Sequence, residues 1–566
     1  MTNQMQEPVE KAPDVVTENE DTATPVVKPN ITVLMYLAAL QRRREGVKIA
    51  NTYSHNTSEK NEGAYGKDGE DIAVDDGYHP VTGWNISADK ADAQRALRVA
   101  GWMSAFYLIT TDILGPTSCP WAFSQLGYVP GFLLYFFMGI AAAYTGWQLW
   151  YMYLALDSDE FPVRSYSDLA GIIYGKTAEH VVNVLQSLQL LFNVAVIILG
   201  NGQGLSQVAN ASVCFSVLVL VWALAGMLVG QIRSLQNFGW LANSAIWMNL
   251  LVIFITMGVV AHSPPNYLAA GLQNGQTGTA IVTGAFIDTS FNQKIVGIMQ
   301  IVYSYGGAMM FINFMAEMRR PFDFIKGMAL AQIVIFVRIV SDGCHYDIFS
   351  YLMYGIFVYA YQGQYTINPA NQGISNYGFQ TATNVLSLVS ALIAAGLYGN
   401  VGLKIVYQTI ILDLLNGPRM ASLAGRITWT FLVLGYWAFA FVIASAIPQF
   451  SNISSLVAAV CILQFTYTFP PLLMLGYEVQ RDAIATDEYI DEQTGQPGQL
   501  QDTWSSWSRW KRGLTRRWYV KLFNFLFFLA ALATACLGMY TSGTAIQEGF
   551  QSGGAGTSFT CQSPVA

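Results

Sequence analysis

Apolar residues gather into long runs parted by short polar stretches, at roughly 101–124, 130–154, 180–208, 212–231, 238–261, 295–316, 326–361, 379–401, 427–447, 453–476 and 521–544. A helix needs about 20 apolar residues to cross the hydrocarbon core of a bilayer. Irregular or edge-exposed backbone cannot face lipid, so the pattern predicts eleven membrane-spanning helices. Two runs are interrupted. In the first, residues 110–127 read TTDILGPTSCPWAFSQLG and set Gly115, Pro116 and Pro120 at membrane depth; in the sixth, residues 303–307 read YSYGG. Backbone released from helical bonding inside a membrane has to be packed in protein or line a cavity, so two breaks predict one shared ligand site.

Orientation follows from lysine and arginine, which cytoplasmic loops retain. Lys90, Arg95 and Arg98 precede span 1, and basic residues recur in every second loop: Arg164 with Lys176, Arg233, Arg319 with Arg320, Arg419 with Arg426, and Arg509 to Arg517. This sets the N-terminus in the cytosol and residues 546–566 outside it as a short tail. Residues 1–99 read as a disordered cytoplasmic arm, except that Ile31 to Leu40 is apolar but too short to span, an interfacial anchor or a solvated segment. The seventh run, 326–361, is too long for one crossing and carries Arg338, Asp342, His345 and Asp347. Parity of the basic loops demands an odd number of crossings there. Residues 334–349 are therefore either an insertion or a polar cluster serving as proton relay or metal site.

Composition agrees: 53% of residues are apolar and 11% charged, which excludes a soluble domain. The net charge of -7 carries no basic concentration beyond the membrane flanks, so nucleic acid is excluded as a partner. Five histidines form no catalytic or metal-type constellation, which argues against an enzyme and leaves no metal or cofactor to place. Six cysteines lack CxxC spacing and read as small packing residues in a reducing or lipid environment.

Candidate chemistry lies inside the spans. Asp112 precedes Gly115 by three residues, and a carboxylate near the bilayer centre costs about 2.5–3.5 kcal/mol on insertion scales. A bound cation, a proton or hydrogen bonds from the partner break would compensate it; alternatively it caps the first half-helix. Glu317 ends span 6 just before Arg319 and Arg320, as a gate or a structural ion pair. Asn183, Gln186, Gln189 and Asn193 fall along one face of span 3, either a ligand path or a hydrogen-bonded seam. The spacings Gly200–Gly204 and Gly226–Gly230 read as close helix packing.

The stretches DILGPTSCPWAFSQLGYVPG (112–131) and YSYGGAMMFINFMAEMRRPFDF (303–324) resemble the amino acid/auxin permease family, over roughly residues 95–545. The resemblance implies ten core helices in two inverted five-helix repeats, the amino acid/polyamine/cation superfamily fold, with helices 1 and 6 broken and helix 11 peripheral. It implies a secondary active transporter of neutral or aromatic amino acids in a plasma or vacuolar membrane; proton coupling is expected from Asp112 itself, an intramembrane carboxylate that desolvation pushes toward the protonated form. Sodium coupling and a non-transporting amino acid receptor are the alternatives. Half-helix ends suit a zwitterion, which would meet Asp112, Leu114, Gly115, Pro116, Thr117 and Ser118 of the first break and Ser304, Gly306 and Gly307 of the second. Tyr303, Tyr305, Phe311, Asn193, Asn384 and Ser387 would select the side chain. Asp112 with Pro116 departs from the smoother glycine-rich turn of many relatives.

Overall fold

The computed structural model describes residues 30–44, 78–79, 84–85, 98, 100–112, 116–233, 236–276, 278, 280–336, 339–341, 344–346, 351–418, 420, 422–485, 488–490, 501–551 and 557–565. Among these, eight helices are long and apolar enough to cross a membrane: Tyr128–Leu156, Lys176–Val208, Asn243–Val260, Phe291–Glu317, Tyr377–Leu412, Leu423–Ala446, Phe450–Ala483 and Trp518–Gln551. They coincide with eight of the apolar runs. The fourth run forms the shorter helix Phe215–Val229. The first is divided into Trp102–Asp112, a 3-10 turn Pro116–Ser118 and Cys119–Leu126. The seventh gives Phe324–Phe336 and Tyr351–Gln362, separated by a small antiparallel hairpin of Ile339–Ser341 with Cys344–Tyr346. Arg338, Asp342 and Asp347 lie outside the described residues.

Local chemistry sets the ends of several helices. Ser165 and Ser290 open helices with capping boxes closed by Asp168 and Gln293, and Asn376 and Ser422 accept from backbone amides of the first turn. Gly127 separates Cys119–Leu126 from Tyr128–Leu156 at φ 87, where an added Cβ would fall 2.7 Å from the Ala285 carbonyl oxygen. Only glycine fits that turn and that approach.

The sixth run sits at the centre, with 94% of its most apolar window buried, whereas Trp518–Gln551, at 17%, lies at the periphery. Lys176–Val208 packs against Tyr166–Tyr174, Phe215–Val229, Tyr377–Val406 and Leu423–Ala446. The Gly226–Gly230 spacing serves packing: the fully buried Trp437 indole fills the slot that both glycines leave.

Two sequence expectations are corrected. Ile31–Arg44, which contains the stretch expected to be an interfacial anchor or a solvated segment, is a helix packed on Tyr128–Leu156 and Phe469–Ala483, with Leu34 and Met35 buried. It is not a solvated segment, because its apolar face packs on those helices and its polar end is matched inside the protein. The Arg42 guanidinium, 1% exposed, donates to the buried Asp157 carboxylate at 2.9 Å; Arg98 donates to the same group at 3.2 Å and the Val163 amide at 3.1 Å. Second, the cysteines are not all small packing residues. Cys214 and Cys561 form a disulfide across 347 residues of sequence, which brings the turn before Phe215 together with the segment after the last span.

Candidate functional site

Both predicted breaks are present. Phe291–Ser304 stops at Ser304, residues 305–307 leave helical geometry, and the chain resumes through a 3-10 turn Ala308–Met310 into Phe311–Glu317. Across the break, bonds to the third preceding residue link the Tyr305 amide to Val302, Gly306 to Tyr303 and Met310 to Gly307. Gly307 adopts φ 137, a conformation that L side chains rarely take. Gly306 faces Ile462, at 3.2 Å from an added Cβ, within a stretch where Phe450–Ala483 widens into π-helical turns. The Gln186 amide, on the polar face of Lys176–Val208, donates to the Met309 carbonyl at 3.1 Å. That face therefore includes a hydrogen-bonded seam to the break, with Gln186, Gln189 and Asn193 all buried.

A cavity of about 130 Å³ is walled mainly by Lys176–Val208, Tyr377–Val406 and the 369–372 turn, and each broken run reaches it with one residue. Its wall brings together Thr117 of the first break, Tyr303 of the sixth run, and Asn384 and Ser387 of Tyr377–Val406. Asn384 and Ser387 share a helical face with Ala391 and Ala394, as their spacing predicts.

Other expected residues are placed elsewhere. The Ser304 hydroxyl contacts the Tyr135 hydroxyl at 2.9 Å and the Tyr305 hydroxyl donates to the Tyr135 carbonyl, so both turn toward Tyr128–Leu156. Ser118, Asn193, Gly306, Gly307 and Phe311 are not among the residues that line the cavity, and Phe311 packs on Phe324. Leu114 and Gly115, and the side chains of Asp112 and Pro116, lie outside the described residues. Glu317 has Lys404 as its electrostatic neighbour, rather than the adjacent Arg319 and Arg320, which are exposed. The helix ends at Glu317, and the chain continues extended through the buried Met318, which bridges Ala100.

Sequence reasoning missed Asn201, Asn249, Asn371, Gln372 and Phe450, which complete the wall. Gly200 and Gly204, expected to serve packing, also face this cavity. Gly200 abuts the Phe450 ring and Gly204 abuts the Asn384 carboxamide, so each lets a wall group approach the Lys176–Val208 backbone.

Carboxamide hydrogen bonds hold the wall and the residues behind it. Asn384 Nδ2 donates to Gln207 Oε1 at 2.9 Å, and Asn384 Oδ1 accepts from Asn371 at 3.1 Å. Gln372 donates to the Gly200 carbonyl at 2.9 Å. Asn368 donates to Gln300 Oε1 at 3.2 Å, and Gln300 donates to Ser454 and Ser455, tying the turn to the sixth and tenth runs. Thus neutral donors and acceptors surround the space, and no ionised side chain lines it among the described residues. Such a lining can orient a polar, net-neutral molecule without demanding a counter-charge.

Residues 98–480 match the sequence profile of the family described as transmembrane amino acid transporter protein. The N amino acid transport system protein of Neurospora crassa is 24% identical over 390 residues, covering 66% of this chain and 75% of that one. A transmembrane transporter of Fusarium pseudograminearum is 24% identical over 386 residues, covering 67% and 75%. Among solved structures, Mhp1, a nucleobase-cation-symport-1 family transporter in a closed conformation with bromovinylhydantoin bound, aligns over 80% of this chain and 94% of its own, at 12% identity and a TM-score of 0.41. With its apolar helices and a profile match spanning most of its length, this chain is a multi-pass integral membrane protein that belongs to the transmembrane amino acid transporter family.

Proposed function

We propose that the protein is a secondary active transporter of neutral amino acids that works by alternating access, with the carboxamide-lined cavity as its substrate site. The observation that carries this reading is the convergence of both broken helices on one cavity: Thr117 and Tyr303, one from each interrupted run, share its wall. In this reading the backbone ends at the breaks receive the carboxylate and ammonium, and the wall receives the side chain. The volume of about 130 Å³ is close to the ~150 Å³ cavity that admits benzene. It suits a side chain no larger than a single ring.

The reading includes eleven crossings in two inverted repeats of five, a cytosolic N-terminus, and a plasma or vacuolar membrane. Disulfides persist where the compartment is oxidising, and the loop parity assigns Cys214 and Cys561 to one and the same outer side. Coupling is to protons, with Asp112 as the carboxyl that exchanges them. Purified protein in vesicles tests the proposal: labelled neutral amino acid should enter down an imposed pH gradient and exchange in counterflow, without sodium. Binding without counterflow would make the protein a receptor instead, and a strict sodium requirement would remove the proton assignment.

A further inference from the structure

The segment after the last span is sewn to the outer end of the molecule. Its Cys561 is disulfide-bonded to Cys214, the Cys561 and Thr560 carbonyls accept from the Phe215 and Ser216 amides at 3.1 and 3.3 Å, and the Phe559 amide donates to the Ser445 carbonyl at 2.8 Å. Beyond the disulfide, Val565 is 1% exposed and packs with Ala269, Ala270, Tyr365 and Ile367. At that point the segment meets the cavity wall. The Gln207 side-chain amide has two hydrogens; one goes to the Val565 carbonyl at 3.1 Å and the other to the Gln372 carbonyl at 3.0 Å. Its oxygen accepts from Asn384, which lines the cavity with Gln372. One buried side chain therefore joins the pinned segment to two groups of the wall.

We propose that residues 557–565 are a covalently pinned brace behind the outer wall of the substrate site, and that Gln207 is the positioning residue through which this brace sets Asn384. Neither feature touches the cavity directly: Gln207 and Val565 do not line it, and their effect passes through the orientation of Asn384 and Gln372. Asn384 has both ends of its carboxamide engaged, so loss of Gln207 frees it to rotate. The disulfide keeps the segment seated while the rest of the outer face rearranges.

This inference rests on the cavity being the amino acid site, and its test separates the two. In vesicles of the full chain, a thiol reductant applied to the folded protein should raise the KM for the transported amino acid about three- to tenfold, the change expected from one or two neutral hydrogen bonds, with the maximal rate held. Gln207→Leu, disulfide intact, should give the same rise, and reduction of that variant should add less than twofold, because both perturbations act along one path. A fall in maximal rate or thermal stability at unchanged KM, or fully additive effects, would overturn the proposal. A second readout needs no transport. In detergent, alkylation of Ser387→Cys, followed by peptide mass spectrometry, should be about fivefold faster when combined with Gln207→Leu; an unchanged rate overturns the link, whereas absent uptake with accelerated alkylation refutes only the transport reading.

Discussion

Replacing Gly307 by alanine isolates the break itself. At φ 137 and ψ -22, Gly307 lies where an L residue is strained by about 1–3 kcal/mol. The strain is relieved if residues 305–307 rewind toward a helix, which consumes the interruption on which the site depends. An affinity that requires the broken form should then fall about five- to a hundredfold, since each 1.4 kcal/mol is a factor of ten. Gly226→Ala is the matched control, at a packing position on Phe215–Val229. Its Cβ would lie 2.0 Å from the Trp437 ring, an overlap no rotamer of alanine avoids, and overpacking of this kind costs about 1–3 kcal/mol or more. That cost falls on the fold: expression and thermal stability should drop, and Trp437→Phe in the same chain should restore part of both. Detergent thermal shift with and without amino acid, alongside uptake KM, reads both effects. A Gly307→Ala KM within twofold of the parent, or Gly226→Ala losing affinity at normal stability, would refute the reasoning.

Three other outcomes are expected. Arg42→Ala should lower stability by about 1.5–3 kcal/mol, the worth of a hydrogen bond to a charged group, and Asp157→Asn by more, since it strands two guanidinium groups; thermal unfolding of the full chain in detergent measures both. If residues 334–349 are an insertion, deleting them should preserve expression and uptake, and loss of uptake in correctly localised protein would make that segment a functional element. Asp112→Asn should retain amino acid binding and flatten the pH dependence of uptake, and an unchanged pH profile would free Asp112 from coupling.

Much of the helical framework was legible because lipid imposes a simple rule: about 20 apolar residues, backbone satisfied internally. The breaks were legible too, since proline removes a donor and glycine permits Gly307 its conformation. Asn384 and Ser387 could be paired because a helix places neighbours three apart on one face. Asn201, Asn371, Gln372 and Phe450 could not, because they arrive from separate elements and meet only after packing. The GxxxG spacings carried one ambiguous signal: Gly226 admits an indole, whereas Gly200 and Gly204 also open onto the cavity. The Ile31–Arg44 helix was hidden by its length; tertiary burial of Arg42 against Asp157, rather than periodicity, holds it. The disulfide had no local spacing to announce it.

The link between Cys214 and Cys561 also has a consequence for how the molecule is made. The first thiol is synthesised 347 residues before its partner, so through insertion of every later span it has no native partner to close on and is open to mispairing or capture by an oxidoreductase. Closure requires that the last span has been threaded and the following segment delivered to the same compartment. Oxidation of this pair is thus a completion mark: a thiol-labelling gel shift on newly made chains would separate fully inserted molecules from stalled ones before any transport is measured.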